Sequence, residues 1–293
     1  MNQYLSNTKV IALLSLFAFF VSCSTGTKPE EERSLKIVYT DWSESVAITY
    51  LSYVLLEEHM DYEVVLKMTD VESAYREVAN NEADVFTDAW LPETQKQYFD
   101  EHKDNIEMLG ITYPEARTGL VVPVYSKLQS VSDLKNYPHP IVGIDTGAGI
   151  MQKAKAAIDE YSLANSLLEL SEEEMVEQLG DSIQRRKEIV VTGWEPHWMF
   201  ARYDVRFLDD TDNIFDRKEN IYTIANKNLE ESHPNAVRFF ERMQLTEKQL
   251  NSLVYEIRVS EDPVFGVKKW MEQNEFVVNQ WIKNLTRERL KIM

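Results

Sequence analysis

Three tryptophans stand at the same place relative to a predicted strand. KIVYTDW ends in Trp42, DVFTDAW ends in Trp90, and EIVVTGW ends in Trp194. Each follows an apolar run and a threonine, at the carboxyl end of a strand. In open parallel sheets the ligand crevice lies outside these strand ends. We therefore expect the three indoles to converge on one cleft; packing between lobes or a chance pattern is the alternative.

A cage of indole rings has a specific chemistry. The negative face of each ring attracts a cation by ~0.5–2 kcal/mol when water is excluded. A quaternary ammonium group has no N–H to donate to a carboxylate, and its methyl groups are apolar, so aromatic faces match both its charge and its surface. Asp41 and Asp88 lie beside two of the cage positions. They either add long-range attraction, or cap the helices that follow or point to solvent.

A glycine-rich turn supplies a possible second half of the site. GIDTGAGIMQKA, residues 143–154, reads as a strand, a tight turn and a helix that begins near Ile150. Free N–H groups at a helix N-terminus bind anions, and Gly147 and Gly149 let a ligand approach the main chain. By itself such a turn is more commonly a plain helix entry. Together with a cation cage, however, the turn predicts a site for a zwitterion with a methylated nitrogen and a carboxylate.

The elements that must position these residues alternate along the chain. We predict strands at 35–40, 62–69 and 83–90, with helices at 44–59, 72–81 and 92–103 between and after them. This order implies a parallel sheet covered by helices on both faces. GLVVPVY, residues 119–125, is interpreted as an extended segment that leaves the first lobe, because Pro123 argues against a central strand.

A second alternation follows the first. Its predicted strands are 140–145, 167–170, 188–192 and 205–210, its helices are 149–161, 172–187 and 196–203, and 220–226 crosses back. Three tail helices, near 229–243, 246–257 and 264–283, are expected to pack on the first lobe, with Trp270 and Trp281 in its core. The pattern predicts an α/β, two-lobe periplasmic-binding-protein fold (type II-like), each lobe a sheet covered by helices, joined by two crossover segments. Residues 35–120 plus 228–293 form lobe 1, and residues 121–227 form lobe 2.

The N-terminus predicts export. Lys9 precedes an apolar run that ends at Cys23, the only cysteine. This run is shorter than the ~20 residues of a membrane-spanning helix, so residues 1–22 are interpreted as a signal peptide. A lone cysteine directly after it resembles a lipidation site, followed by a polar tether over 23–34. An ordinary signal peptide with a stray cysteine is the alternative.

Charge and motifs exclude several classes of function. The net charge of −18 argues against nucleic-acid partners. One cysteine and five histidines offer no ligand pair at zinc spacing, so no metal or cofactor is expected. Glu195 and His197 would be the acid and base of a lipid-anchored small-molecule hydrolase. Since their spacing gives no fixed partner, we predict that the protein is not an enzyme and that His197 is a capping or buried neutral residue.

Several long motifs resemble one family. TDW, TDAWLPETQ, GIDTGAGIM and VVTGWEPHWMFARY are similar to segments of the glycine betaine/proline betaine substrate-binding proteins of ABC importers (the OpuAC/ProX type), over nearly all of 35–283. The resemblance implies a protein that captures glycine betaine or a related compatible solute and delivers it to an ABC permease, and the N-terminal pattern adds the expectation that it is exported and lipid-anchored. It is expected to act as a monomer. Uptake or sensing of choline or carnitine is the alternative.

The resemblance also assigns residues. It implies that Trp42, Trp90 and Trp194 form the cage for the trimethylammonium group, and that the backbone amides of Gly149 and Ile150 hold the carboxylate. Many family members place a histidine five residues after the second cage tryptophan, where it helps to hold the carboxylate. Here that position is Gln95, whose amide can donate a hydrogen bond but carries no charge.

Overall fold

The computed structural model describes residues 34–215, 217–260 and 262–285. The predicted signal peptide and lipidation site lie outside these residues, as does the tether up to residue 33. None of the helices in the described ranges combines the length and the apolar composition that a membrane span requires.

The first part of the chain alternates strands and helices as predicted: β1 (Ser34–Tyr39), α1 (Ser43–Met60), β2 (Glu63–Met68), α2 (Val71–Ala79), β3 (Val85–Leu91) and α3 (Lys96–His102). β1 pairs in parallel with both β2 and β3, which is the predicted arrangement. The start of α3 was predicted four residues too early. Residues 92–95 instead form a turn in which the Gln95 N–H donates to the Trp90 carbonyl at 2.9 Å.

The middle of the chain holds the remaining strands and three helices. They are β4 (Ile106–Pro123), β5 (Ile141–Val142), α4 (Gly149–Glu160), β6 (Leu167–Leu168), α5 (Glu172–Gln184), β7 (Val191–Glu195), α6 (Met199–Arg202), β8 (Val205–Phe207) and β9 (Glu219–Asn226), with a short 3-10 helix over Val131–Asn136. β5 pairs in parallel with β6 and with β7, so the second lobe has a parallel sheet as well.

β4 is the largest departure from the prediction, because it is a strand of 18 residues rather than a short crossing. Its first part pairs with β9, and residues 117–121 pair with β7. The register with β9 shifts at three places, and Glu115 has a positive φ of 57°. These irregularities interrupt the alternation of apolar and polar residues by which a strand is recognised. Pro123 is the last residue of β4 and lies opposite Val205 of β8.

The order of the strands divides the molecule into two lobes. In the described part of the chain the order is β2-β1-β3-β9-β4-β7-β5-β6, with β8 beside β4. The first lobe contains β1, β2 and β3, the second contains β5, β6 and β7, and β4 and β9 join them. β9 runs antiparallel to both β3 and β4. The two-lobe α/β fold predicted from the sequence is therefore confirmed.

The tail is helical and packs on the first lobe, as predicted, but it is divided differently: α7 (Leu229–Ser232), α8 (Pro234–Arg242), α9 (Glu247–Val259), α10 (Pro263–Gln273) and α11 (Glu275–Trp281). α9 and α10 contact α1. The first predicted tail helix is interrupted before Pro234, whose ring does not continue a helix. Trp270 and Trp281 lie on separate helices and stack at 6.4 Å between ring centroids, and both are buried. Their prediction as core residues is confirmed.

Candidate ligand-binding site

One cavity between the lobes collects the residues that the sequence singles out. Trp42 and Trp90 from the first lobe and Trp194 from the second line it. Its empty volume, counted together with the solvent space at its mouth, is about 290 Å³. The structure brings all six predicted ligand residues to this cavity. The other lining residues are Glu44, Thr94, Thr118, Ile144 and Ala148, beside the predicted Gln95, Gly149 and Ile150.

Trp90 is held by two neighbours in the first lobe. Its indole N–H donates to Asp88 Oδ1 at 3.0 Å, and its backbone N–H donates to Gln95 Oε1 at 3.1 Å. The same Gln95 oxygen accepts from the Tyr75 hydroxyl at 3.0 Å, and Gln95 Nε2 donates to the Asp88 carbonyl at 3.3 Å. Gln95 therefore ties the turn over 92–95 to the part of β3 that carries Trp90. Its role towards a ligand carboxylate stays a prediction.

The two aspartates beside the cage have different surroundings. Asp88 is fully buried, and burial raises the pKa of its carboxyl well above the ordinary value. Its contact with the Trp90 indole shows that it supports the cage rather than caps a helix. Asp41 is exposed and does not line the cavity. The Trp42 indole N–H instead reaches Asp145 Oδ2 in the second lobe, at 3.3 Å, so the lobes touch at the cage.

Glu44 is a cavity residue that the sequence did not reveal. It is 2% exposed, and burial followed by the nearby charges of Asp88 and Glu172 raises its pKa well above the ordinary value. Among the described residues, neither its Oε2 atom nor the buried indole nitrogen of Trp194 makes a hydrogen bond of good geometry, although the indole interacts with the Glu44 carboxyl and offsets part of the rise in its pKa. Acidic residues are common in the first turn of a helix, so the position of Glu44 in the sequence did not indicate a ligand-binding role.

The N-terminus of α4 forms another wall of the cavity. The helix begins at Gly149, and its N-cap residue, Ala148, makes no side-chain hydrogen bond. The first N–H groups of a helix have no partner within the helix, and the helix dipole adds a partial positive charge there. The N–H groups of Gly149 and Ile150 can therefore donate hydrogen bonds to an anion in the cavity, which is the chemistry predicted for the turn.

The residues of the hydrolase alternative do not meet in the cavity. His197 is buried, its Nδ1 accepts from the Met199 N–H at 3.0 Å, and its Nε2 lies 3.0 Å from Glu172 Oε1. His197 is therefore buried and accepts the N–H of the first residue of α6, although the N-cap residue of that helix is Trp198. Neither Glu195 nor His197 lines the cavity. In the described residues, no group of three histidine, cysteine, aspartate or glutamate side chains could hold a metal ion.

A two-lobed α/β fold with a small-molecule cavity between the lobes defines the class of substrate-binding proteins of the periplasmic-binding-protein type. Residues 33–273 match the substrate-binding domain of ABC-type glycine betaine transport systems, and the chain belongs to this family. The family resemblance found in the sequence is confirmed. Its members are transport substrate-binding proteins.

Individual relatives agree with this membership. The glycine betaine/carnitine transport binding protein GbuC of Listeria monocytogenes serotype 1/2a (strain 10403S) is 35% identical over 169 residues, which cover 57% of this chain and 56% of GbuC. Lactococcal OpuAC, solved in a closed conformation with glycine betaine, is 31% identical with a TM-score of 0.81, over 86% of this chain and 100% of that one. ProX of Borrelia burgdorferi is 28% identical with a TM-score of 0.80, over 87% and 97%.

Proposed function

We propose that the protein captures glycine betaine or a related quaternary-ammonium compatible solute and delivers it to the transmembrane subunit of an ABC permease. The observation that carries this proposal is the cavity in which three indoles meet the open N-terminus of α4. Rings that attract a cation and amides that attract an anion suit a zwitterion. The family, GbuC and the liganded lactococcal OpuAC support a betaine as the ligand.

In this proposal each wall of the cavity has one task. Trp42, Trp90 and Trp194 surround the trimethylammonium group, and the amides of Gly149 and Ile150 hold the carboxylate. Gln95 orients Trp90 and keeps an N–H for the ligand, since its Nε2 has two hydrogens and the Asp88 carbonyl accepts one of them.

Ligand binding is coupled to closure of the lobes. The lobes comprise residues 35–120 with 228–293 and residues 121–227, with hinges near 119–125 and 220–227. The change of pairing partner in β4, from β9 up to Ala116 to β7 from Arg117, supports a boundary close to this region. Because each lobe supplies part of the cage, the ligand binds the closed state better and shifts the population towards it.

The remaining parts of the proposal concern the setting of the protein. Cleavage before Cys23 and lipidation of that residue would anchor the mature protein at the outer side of the cell membrane, with residues 23–34 as the tether. We expect a monomer. Labelling with a radioactive fatty acid, compared between the native chain and Cys23→Ser, tests the anchor; equal labelling of both would contradict it.

Calorimetry on the purified protein tests the ligand class. Glycine betaine, proline betaine, carnitine and choline are titrated in turn, with thermal shift as a second readout. We expect heat and a raised melting temperature with at least one betaine. If none of the four ligands gives heat or a thermal shift, the proposal is wrong.

A second candidate ligand is a cation without a carboxylate, such as choline. One observation favours it: the buried Glu44 presents an oxygen without a hydrogen bond at the cavity that holds the cage. If ionised, this carboxylate would balance the charge of choline, which brings no anion of its own. Tighter binding of choline than of glycine betaine would support this candidate, and it would mean that the turn before α4 is only structural.

A further inference from the structure

A second group of contacts between the lobes lies beside the cage and does not line its cavity. Its centre is Glu172, the first residue of α5 in the second lobe. Glu172 Oε2 accepts the backbone N–H of Ser43, the first residue of α1 in the first lobe, at 2.8 Å. The Ser43 hydroxyl donates to the other carboxylate oxygen, Oε1. A carboxylate of one lobe thus caps a helix of the other.

The helix α1 has no side-chain cap from its own N-cap residue. The N-cap residue of α1 is Trp42, whose side chain makes no capping hydrogen bond and instead belongs to the cage. The helix has 18 residues, and its first N–H groups have no partner within the helix. A negative charge at this end is stabilised by hydrogen bonds and by the helix dipole. α1 therefore receives its cap from the opposite lobe, where Glu172 lies.

Glu172 also touches the residues that support Trp194. His197 Nε2 lies 3.0 Å from Glu172 Oε1, and the His197 ring packs edge-on against the Trp194 indole, with 4.5 Å between centroids. The Trp198 indole N–H donates to Ser43 Oγ at 3.1 Å and to Glu172 Oε1 at 3.2 Å. The His197 ring therefore links the contact between the lobes to the Trp194 indole of the cage.

The carboxylate is ionised where it acts. Burial alone would raise the pKa of Glu172, but the neighbouring His197 and the hydrogen bonds from Ser43 outweigh it and lower the pKa to about 2. On the outer side, the Arg258 guanidinium of α9 lies 3.8 Å from the centre of the Trp198 ring. This cation over the indole adds a further attraction between the tail of the first lobe and the second lobe.

We propose that Ser43, Glu172, His197 and Trp198 form a cross-lobe clamp in which Glu172 is a positioning residue that caps α1 only in the closed state and thereby slows release of the ligand. The proposal rests on the proposed function for its ligand. Hydrogen bonds to a charged group contribute enough for a 10- to 100-fold effect. Loss of a clamp that forms on closure should mainly raise the dissociation rate of the ligand. Loss of a permanent structural contact should instead lower the stability of the unliganded protein.

The test compares Glu172→Gln with Glu173→Gln, a neighbouring first-turn glutamate that is exposed. Dissociation of radiolabelled glycine betaine is followed in a chase with unlabelled ligand. We expect Glu172→Gln to release the ligand 10- to 100-fold faster, Glu173→Gln to behave as the unchanged protein, and all three to melt at similar temperatures without ligand. Ser43→Ala should quicken release as well, and the double variant should show less than the sum of the two effects.

A second measurement needs no ligand. Small-angle scattering of unliganded Glu172→Gln should give a larger mean radius of gyration than that of the unchanged protein, because loss of the clamp favours the open state. If neither release nor scattering changes, or if the unliganded variant only loses stability, the clamp is refuted. If the unchanged protein binds no betaine but scattering still differs, the proposed function fails and the clamp stands.

Discussion

The Thr94 carbonyl of the first lobe approaches Gly149 of the second lobe so closely that a Cβ atom on Gly149 would lie 1.9 Å from the Thr94 oxygen. Real Cβ atoms do not come this near to backbone, so only glycine allows the two lobes to meet here. Close by, the Tyr98 hydroxyl donates to the Gly147 carbonyl at 2.8 Å, which also joins the lobes. Gly149 thus serves closure as well as access to the helix N-terminus.

Gly149→Ala should block this closure. Because the added methyl group meets backbone, the lobes must stay apart, and we expect the affinity for glycine betaine to fall at least about tenfold, or about 1.4 kcal/mol. The melting temperature without ligand should change little. Gly147→Ala is the matched control, since a Cβ there would come no closer than 3.8 Å to the Tyr98 hydroxyl. Equal affinities of the two variants by calorimetry would contradict the closure argument.

Removal of a cage ring and of a core ring should have opposite signatures. Trp194→Ala should weaken binding by about 1–3 kcal/mol, because it removes one face of the cage. Trp270→Ala, which empties a fully buried site that stacks on Trp281, should lower the free energy of unfolding by about 3–5 kcal/mol. Calorimetry and urea unfolding on both variants separate the effects. Equal losses of affinity would show that the cage assignment is wrong.

The ion pair between Lys153 and Glu219 should contribute to stability through burial. Lys153 Nζ lies 3.3 Å from Glu219 Oε1, and the Glu219 side chain has no exposed surface. Lys153→Met would leave this carboxylate buried without its cation, so we expect a loss of about 3 kcal/mol in the free energy of unfolding. Lys155→Met on the same helix is the control, because Lys155 and its partner Glu169 are about half exposed. A similar, small effect of both changes in urea unfolding would refute the prediction.

Glu44→Gln should change how stability depends on pH. The raised pKa of Glu44 means that the folded protein keeps a proton that the unfolded chain loses above its ordinary value of 4.5. The free energy of unfolding therefore falls as pH rises from 4.5 towards the folded-state pKa. The variant has no proton to lose, so it should match the unchanged protein at pH 4 and be more stable at pH 7. Melting temperatures across this range check the prediction, with Glu173→Gln as the control; a constant difference would contradict it.

Much of the fold could be predicted because local rules determine it. The apolar runs of β1 and β3 and the helical period of α1 and α4 depend on neighbours along the chain, and the alternation implied parallel sheets in two lobes. The full length of β4 was not predicted, because its register shifts break the alternation of apolar and polar residues. These shifts arise in its pairing with β9, which is distant in the sequence. The division of the last predicted helix at Asn274 was also missed, although the burial of its two tryptophans was predicted correctly.

The sequence by itself determined that three tryptophans and the turn before α4 meet at the cavity, because indoles at strand ends and a glycine turn before a helix follow from local pattern and from the geometry of parallel sheets. Only the tertiary structure decided what lies behind them. Glu44 and Glu172 are ordinary first-turn glutamates in the sequence, yet one faces the cavity and the other caps a helix of the opposite lobe. Such contacts join residues as far apart as Ser43 and Glu172, and no local pattern encodes them, since they form only when both lobes pack together.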